Sequence, residues 1–329
     1  MNAEENALDL LRAHKKFVLT SHMSPDGDGV GSQLALGRAL KGLGCDVTII
    51  NPSPVPWNLR FLLAYPKEIT TPADWPSPAR HFQGALTVVL DIGDFDRLGA
   101  VRPFLSAGDG ILVVDHHRLE RVEGVHFLVD TSACATGHVT ARLLEKLGVP
   151  LSPEIAEPLY VALHTDTGGF RYPGTSPELH RLVAKLLEAG ADPQKIYTEI
   201  YERLSEGRLR LMGEVLSTTT VSPGGKIAWI VLRQSMLGKA GARMEEADDL
   251  VNFTLQIDGV VAGFYFKELD NGRTKVSCRS RGDFAIDRFV SPWGGGGHRN
   301  AAGVRLDMPV DEAIGLLTSK LAALLEPGE

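Results

Sequence analysis

Clusters of aspartate and histidine follow apolar runs at four places in the first half of the chain. The triplet Asp115, His116 and His117 directly follows the apolar residues 111–114. In parallel sheets the carboxyl ends of the strands meet at one edge, and ligands bind outside that edge. The repetition therefore favours a fold that brings strand ends together around a polar site. The other three clusters are residues 22–28, 91–94 and 166–170, of which the last follows a run that could be helical.

Apolar strands alternate with amphipathic helices as far as residue 190. Alternation of this kind is typical of an α/β fold, a parallel sheet with helices on both faces. Pro25 and Gly27 are expected to keep the segment after the first strand as a turn, so that the next helix begins at Ser32. Strands are predicted at residues 16–21, 46–50, 85–90, 111–114 and 125–129, and helices at 5–15, 32–43, 135–147, 153–164 and 177–189.

A different pattern begins near residue 220. Asn271 and Gly272 lie between two alternating runs, 260–267 and 274–281, and an Asn-Gly pair in that position is a strong signal for a β-hairpin. With a further strand at 226–233 and a closing helix at 309–325, this half is predicted to be a smaller α+β domain. The predicted domains are residues 1–190 and 221–329, joined by a charged helical linker at 191–220.

Composition restricts the partners. A net charge of −7 argues against a long nucleic-acid duplex, because proteins that grip one show a basic surface, but it leaves a short anionic substrate open. The chain has no run near the roughly 20 apolar residues that a membrane span needs, and its acidic start lacks the pattern of a secretion signal. Widely spaced Cys45, Cys134 and Cys278 fit neither a disulfide framework nor a zinc motif, which predicts a cytoplasmic location.

The polar clusters together offer two imidazoles and four carboxylates for metal binding. Oxygen donors with imidazole and without thiolate favour Mn²⁺ or Mg²⁺, and Fe²⁺ or Co²⁺ could be accepted. Six ligands exceed what one catalytic ion can use, because such an ion keeps open positions. Two ions about 3.5–4 Å apart that share a bridging carboxylate fit better, and they would activate a water for attack on phosphorus. The six residues are His22, Asp26, Asp28, Asp91, His116 and Asp166.

The two histidines of the triplet are predicted to have different roles. Adjacent strand residues point to opposite faces, so His116 and His117 are not expected both to reach one ion easily. His116 is assigned to metal, and His117 to a phosphate oxygen or the leaving group. Asp115 is expected to orient a histidine. For any one cluster, aspartates that cap local turns are the alternative interpretation, but four clusters in one domain favour metal.

A run of glycines, residues 294–297, is the second strong signal. Glycines let backbone N–H groups approach an anion closely, and His298 and Arg299 would add side-chain donors. The small residues after His298 could open a short helix whose N-terminus also favours an anion. Arg279 and Arg281 lie on one face of a nearby predicted strand. The segment is predicted to bind phosphate, and a flexible surface loop is the alternative.

Taken together, these motifs resemble the DHH phosphoesterase family with its associated C-terminal domain. Within the family, the resemblance is to the bifunctional oligoribonuclease and adenosine bisphosphate phosphatase branch. His138 is a departure, because many members carry an acidic residue there. The matching residues are His22, Pro25, Asp26, Gly27, Asp28, Gly31 and Ser32 for the first motif, Asp91 for the second, Asp115, His116 and His117 for the third, Asp166, Thr167, Gly168 and Phe170 for the fourth, and residues 294–303 for the glycine motif.

The resemblance implies a role for each site residue. His22 and Asp26 would hold one Mn²⁺, and Asp28, His116 and Asp166 would complete the shell of a second, with Mg²⁺ or Co²⁺ as alternatives. Residues 1–190 would then be the catalytic domain and 221–329 the substrate-binding domain. Asp91 as the bridge, Asp115, and His117 on the scissile phosphate would be the catalytic residues. The residues expected to hold the distant phosphate or nucleotide are Arg279, Ser280, Gly296, Gly297, His298 and the adjacent Arg299.

The expected activity is Mn²⁺-dependent cleavage of very short oligoribonucleotides, such as dinucleotides, to mononucleotides. Dephosphorylation of adenosine 3′,5′-bisphosphate is expected as a second reaction. The alternative enzyme is a phosphodiesterase of linear or cyclic di-adenosine nucleotides. A nucleotide-binding regulator with a relic site is disfavoured, because every candidate ligand is present. The expected partners are short RNA or nucleotides, without long duplexes or membranes, and a homodimer is left open.

Overall fold

A computed structural model describes residues 2–172 and 174–325 of the chain, without the side chain of His298. The chain divides into two compact units, Met1–Arg203 and Leu204–Glu329. Residues 191–203 of the predicted linker therefore belong to the first unit, and residues 204–220 belong to the second. None of the helices in the described ranges combines the length and the apolar character that a membrane span requires.

A five-stranded parallel sheet lies at the centre of the first unit, in the order β2-β1-β3-β4-β5. The sheet has a hydrophobic core on each face, and successive residues of its central strands pack into the two cores in turn. In β3, for example, Val88 packs on one face and Val89 on the other. Every residue of β3 is buried, as expected for a strand covered on both sides. The predicted parallel α/β architecture is confirmed. The strands are β1 (Lys16–Thr20), β2 (Asp46–Ile49), β3 (Leu86–Leu90), β4 (Gly110–Asp115) and β5 (Val125–Val129).

Helices cover both faces of this sheet. The core on one face, which includes Val88, is covered by α1, α2 and α4–α7. The core on the other face, which includes Val89, is covered by α3 and the 3₁₀ segment Phe95–Ala107. Helices α2 and α5 lie very close together, because a Cβ at Gly31 would be 2.3 Å from the Pro158 carbonyl oxygen. The helices are α1 (Ala3–Ala13), α2 (Gly27–Gly42), α3 (Ala79–Phe82), α4 (Thr136–Lys146), α5 (Pro153–Asp166), α6 (Pro177–Glu188) and α7 (Pro193–Tyr197), and a π-helical turn at Thr198–Glu202 follows α7.

Helix α2 begins at Gly27 rather than at the predicted Ser32. The carboxylate of Asp26 accepts hydrogen bonds from the backbone N–H groups of Asp28 and Gly29, and so caps the helix. An aspartate cap stabilises a helix start, and Pro25 precedes it without interrupting any helical hydrogen bond. The prediction of a turn up to Ser32 was therefore wrong. Asp28 lies in the first turn of α2.

The second unit is built on a six-stranded mixed sheet, in the order β10-β11-β9-β8-β7-β6. Strands β7 and β8 run parallel, and β8 and β9 form the hairpin predicted from Asn271 and Gly272. The elements are β6 (Thr220–Val221), β7 (Ile227–Leu232), β8 (Ala262–Glu268), β9 (Thr274–Ser280), β10 (Gly296–His298) and β11 (Ala301–Leu306), with helices α8 (Glu206–Leu216), α9 (Gln234–Ala240), α10 (Ile286–Val290) and α11 (Val310–Leu325).

The glycine run leads into a strand rather than a helix. Strand β10 pairs antiparallel with β11, and Arg299 and Asn300 form the two-residue turn between them. Gly297 has a φ of +144°, and a Cβ there would lie 2.4 Å from the carbonyl oxygen of Ala301. The predicted short helix and its N-terminal dipole were wrong, because strand pairing takes the backbone groups that a helix would have used.

Candidate metal centre

Polar side chains from the ends of three neighbouring strands and two helices meet at the carboxyl edge of the parallel sheet. His22 follows β1, Asp91 follows β3, and Asp115 is the last residue of β4. Asp166 is the last residue of α5, and Asp28 lies in the first turn of α2. The structure brings all six predicted metal ligands into this region, where three overlapping groups of donor atoms each lie within 4.8 Å of one another.

Asp91 lies between two groups of donors. Its Oδ2 is 3.5 Å from Nε2 of His22, which is itself 3.8 Å from Oδ2 of Asp26. Its Oδ1 is 3.9 Å from Nε2 of His116. The two oxygens of one carboxylate thus face different donor groups, which is the arrangement of a ligand that bridges two ions.

His116 connects Asp91 to the second group of donors. Its Nε2 is 3.8 Å from Oδ2 of Asp28 and 3.4 Å from Oδ2 of Asp166. This nitrogen is buried and makes no hydrogen bond within the described part of the chain. Two donors that bind one ion at about 2.1 Å lie roughly 3–4 Å apart, so the spacing suits an ion. The donor set fits divalent metal binding.

The carboxylates are crowded, and this raises the pKa values of two of them. Burial raises the pKa of Asp28 well above its usual range, and the charges of Asp91 and Asp166 raise it further. Burial, with the charges of Asp91 and Asp26, raises the pKa of Asp166 to about 8. A bound divalent ion would reverse these shifts by stabilising the ionised carboxylates.

His22 is held with its Nε2 towards the carboxylates. Burial alone would lower the pKa of His22, but Asp26 and Asp91 outweigh burial and raise it to about 10. Its Nδ1 lies 2.8 Å from the carbonyl oxygen of Met23 and 2.7 Å from Nη2 of Arg97. Donation from Nδ1 to the carbonyl is the pairing that leaves the Nε2 lone pair for a metal ion. Arg97, in the 3₁₀ segment, was missed by sequence reasoning.

Asp28 is held by the start of a different helix. Its carboxylate accepts hydrogen bonds from the backbone N–H groups of Thr136 at 2.6 Å and Gly137 at 2.8 Å. The residue before them, Ala135, has no side chain that could cap α4, so Asp28 supplies the cap from α2. The hydroxyl of Ser32 also donates to Asp28. Sequence reasoning predicted a helix at 135–147 but did not predict these contacts.

Asp115 holds two loops in place, the one after β3 and the one after β4. Its Oδ2 accepts the backbone N–H groups of Ile92 at 2.8 Å and Gly93 at 3.0 Å. Its Oδ1 accepts those of His116 and His117 and lies 2.7 Å from Nδ1 of His117. Burial opposes ionisation, but these donors together with the His117 imidazole lower the pKa of Asp115 below its usual range.

Both histidines of the triplet lie beside Asp91. Nδ1 of His117 is 3.4 Å from Oδ1 of Asp91, and the two imidazole centroids are 4.3 Å apart. The prediction that the two side chains would diverge was wrong, because β4 ends at Asp115 and strand alternation stops there. Burial would lower the pKa of His117, but Asp115 and Asp91 raise it above its usual value.

The backbone at Asp91 is strained in a way that serves this arrangement. Its φ of +55° lies in the left-handed region, which residues other than glycine rarely adopt. The following N–H groups, of Ile92 and Gly93, hold the loop against Asp115. Strain of this kind persists where the surroundings over-determine a conformation, often at functional sites. Here it directs both oxygens of Asp91 towards donors.

The predicted substrate-binding residues lie on β9, β10 and the turn after β10. Nη1 of Arg279 donates to the neighbouring Cys278 carbonyl, and Nη2 of Arg299 bonds to the carbonyl of Asp283 at 2.8 Å. The hydroxyl of Ser280 is buried and donates to the Phe284 carbonyl at 2.6 Å, so it supports the strand end. Gly296 and Gly297 lie in β10, and the side chain of His298 lies outside what the structure describes.

Comparison with known proteins agrees with this geometry. Residues 16–163 match the DHH family, N-terminal domain, and residues 225–326 match the DHHA1 domain. A bifunctional oligoribonuclease and PAP phosphatase NrnA from Thermus thermophilus is 35% identical over 300 residues, which cover 90% of this chain and 86% of that protein. The chain belongs to the DHH family. It is thus a hydrolase that acts on phosphoester bonds.

Two further similarities extend over nearly the whole of this DHH protein. A protein of the same name from Bacillus subtilis is 26% identical over 88% of this chain and 89% of its own length. The crystal structure of an exopolyphosphatase-related protein from Bacteroides fragilis aligns with a TM-score of 0.92 and 29% identity, and the alignment covers 98% of this chain and 97% of that one. Both units of the chain therefore have counterparts in these proteins.

Proposed function

We propose that this DHH protein cleaves very short oligoribonucleotides to mononucleotides and also dephosphorylates adenosine 3′,5′-bisphosphate. The observation that carries the proposal is the position of Asp91, whose two oxygens face separate donor groups. The names of the two relatives supply the substrate class. The net charge of −7 is compatible with a short substrate rather than a long duplex.

In this proposal the donors hold two divalent ions. His22 and Asp26 would hold one, Asp28, His116 and Asp166 would hold the other, and Asp91 would be a ligand of both. Bound there, the ions, Mn²⁺ in the proposal with Mg²⁺ or Co²⁺ as alternatives, supply an activated water and charge neutralisation at the phosphoryl group. Asp28 stays in place because α4 donates two backbone hydrogen bonds to it.

His117 is assigned to the phosphate. Its raised pKa keeps the imidazole protonated to higher pH than in free histidine, so that it can donate to a phosphate oxygen or to the leaving group. Asp115, 2.7 Å from Nδ1, fixes the orientation of the ring beside Asp91. Asp115 therefore acts through His117 rather than on the substrate.

The second unit is assigned to substrate binding. Arg279, His298 and Arg299 would supply cationic or hydrogen-bonding side chains, and Gly296 and Gly297 would expose backbone N–H groups to an anion. Ser280 would support this surface through its bonds to Phe284 and Asn300. Such contacts to a group away from the scissile bond favour a particular substrate length and lower KM.

A substrate panel tests the proposal. Purified protein is incubated with Mn²⁺ and, separately, with a diribonucleotide, a longer RNA, single-stranded DNA, adenosine 3′,5′-bisphosphate and cyclic di-AMP, and initial rates are compared. The diribonucleotide is expected to give the highest kcat/KM, and EDTA is expected to abolish all turnover. A preference for cyclic di-AMP or its linear product would assign the alternative function, and nucleotide binding without any metal-dependent hydrolysis would indicate a regulator.

A further inference from the structure

The loop that follows Asp166 has an unusual backbone. Gly168, Gly169 and Phe170 are three consecutive left-handed residues, with φ values of +58°, +74° and +63°. Two glycines adopt this conformation readily, but a phenylalanine does so only where other contacts hold it. The hydroxyl of Thr167 supplies one such contact, because it accepts the N–H of Phe170 at 3.0 Å.

Phe170 anchors the loop from the inside. Its ring packs edge-on against Tyr160 and His164, at centroid distances of 5.8 Å and 5.3 Å. The next two N–H groups, of Arg171 and Tyr172, both donate to the carbonyl of Thr167. The loop therefore turns back on the end of α5 and leaves Arg171 and Tyr172 exposed.

Tyr172 has a fixed ring with an exposed surface. A Cβ at Gly168 would lie 2.5–2.8 Å from three atoms of the phenol ring, so the ring rests directly on this glycine. The side chain is nevertheless 45% exposed, and the guanidinium carbon of Arg171 is 5.5 Å from the ring centre. Gly168, on which the ring rests, is only two residues from the proposed metal ligand Asp166 along the chain.

We propose that Tyr172 is a nucleobase-stacking platform, with Arg171 as its cationic neighbour. The inference rests on the proposed function, because it places a nucleotide phosphate at Asp166. A nucleotide bound there carries its base one sugar away from the phosphate, and the Tyr172 ring rests on Gly168, two residues after Asp166. An aromatic ring held on glycine can stack on any base, and such stacking stabilises nucleotide binding without sequence preference. Tyr172 thereby distinguishes nucleotides from phosphate esters that lack a base.

Calorimetric binding of AMP and of ribose 5-phosphate, each with Mn²⁺, tests the platform without requiring turnover. In the wild type AMP is expected to bind about 10-fold more tightly than ribose 5-phosphate, by the contribution of one stacked base. Tyr172→Ala should remove most of this difference while ribose 5-phosphate affinity stays unchanged, and Tyr172→Phe should preserve it. An unchanged ratio in Tyr172→Ala, or a wild type that does not prefer AMP, would overturn the proposal.

Tyr65 provides a matched control. It is 49% exposed and has Lys41 5.7 Å from its ring centre, much as Tyr172 has Arg171. Lys41 is at the C-terminal end of α2, roughly 20 Å along the helix from Asp28. Tyr65→Ala should leave both affinities unchanged. A wild type that prefers AMP but does not hydrolyse the diribonucleotide would contradict the proposed function alone.

Discussion

The metal centre and the glycine hairpin are constructed in opposite ways. Around Asp91 the polar side chains are buried or half-buried, apart from the exposed Asp26, and other elements hold them, as α4 holds Asp28 and the β3 loop holds Asp115. Around the hairpin the side chains of Arg279 and Arg299 are more exposed and bond to nearby carbonyl groups. The first region is therefore expected to be organised before a ligand binds, and the second is expected to adapt to its ligand.

Under the proposed function, this difference corresponds to a division of labour between chemistry in the first region and recognition in the second. Catalytic groups must be positioned before reaction, because reorganisation during the chemical step raises its barrier. Exposed cations that contact a remote part of the substrate contribute mainly to binding. Substitutions in the first region are therefore expected to lower kcat, and those in the second to raise KM.

The largest effect is expected for Asp91→Asn. The amide keeps the shape of the side chain but cannot supply two anionic oxygens, so kcat for the diribonucleotide should fall by roughly 1,000-fold. Asp94→Asn, which changes the exposed cap of the 3₁₀ segment, is the matched control and should retain near-normal activity. Steady-state kinetics with saturating Mn²⁺ measures both. Comparable activities of the two variants would contradict the proposed role of Asp91 as a ligand of both ions.

A smaller loss is expected for Asp115→Asn. Without the carboxylate, His117 is less well oriented and its pKa falls, so kcat should drop roughly 10- to 100-fold. The sign of the pH effect follows from the raised pKa of His117, whose proton is lost at lower pH in the variant. The alkaline limb of the kcat profile should therefore move to lower pH. A lower kcat with an unmoved alkaline limb would indicate a purely structural role for Asp115.

Metal binding should strengthen as pH rises towards 8. The raised pKa of Asp166, about 8, means that its carboxyl group holds a proton at neutral pH in the metal-free protein. A divalent ion must displace that proton, so affinity should rise by up to about tenfold per pH unit. Calorimetric titration with Mn²⁺ at pH 6, 7 and 8 measures the slope. Asp166→Asn should make it shallower, and the proton that Mn²⁺ displaces from His22 should keep some slope in the variant. An equal slope in the variant would show that another group releases the proton.

The smallest effect is expected in the second unit. Arg279→Gln should raise KM for the diribonucleotide about tenfold, the loss of one charged hydrogen bond, and should leave kcat nearly unchanged. Arg273→Gln, beyond the opposite end of β9, is the control and should have little effect on either constant. A fall in kcat at constant KM for Arg279→Gln would place this residue in the chemical step and remove the contrast between the two regions.

Sequence patterns predicted the parallel sheet and the ligand set for the same physical reason. Buried strands require apolar runs, and polar residues directly after them lie at the sheet edge, so His22, Asp91 and Asp115 could be placed without tertiary information. The cap that Asp28 provides for Gly137 could not be predicted from the sequence, because 109 residues separate the two. The approach of Arg97 to His22 could not be predicted either, because it depends on how the 3₁₀ segment packs.

Local rules failed where strands or helices end. The alternation of strand side chains separated His116 from His117 in the prediction, but β4 stops at Asp115 and both rings lie beside Asp91. The small residues after His298 predicted the start of a short helix, whereas they form β11, which pairs with β10 in a hairpin. In both cases the contacts of the folded chain decided the conformation rather than local sequence.

Anomalous diffraction from Mn²⁺-soaked crystals tests the central claim most directly. Data collected at the manganese edge should show two peaks about 3.5–4 Å apart, one beside His22 and Asp26 and the other beside Asp28, His116 and Asp166, with one oxygen of Asp91 directed at each. A single peak, or two peaks that Asp91 does not connect, would contradict it.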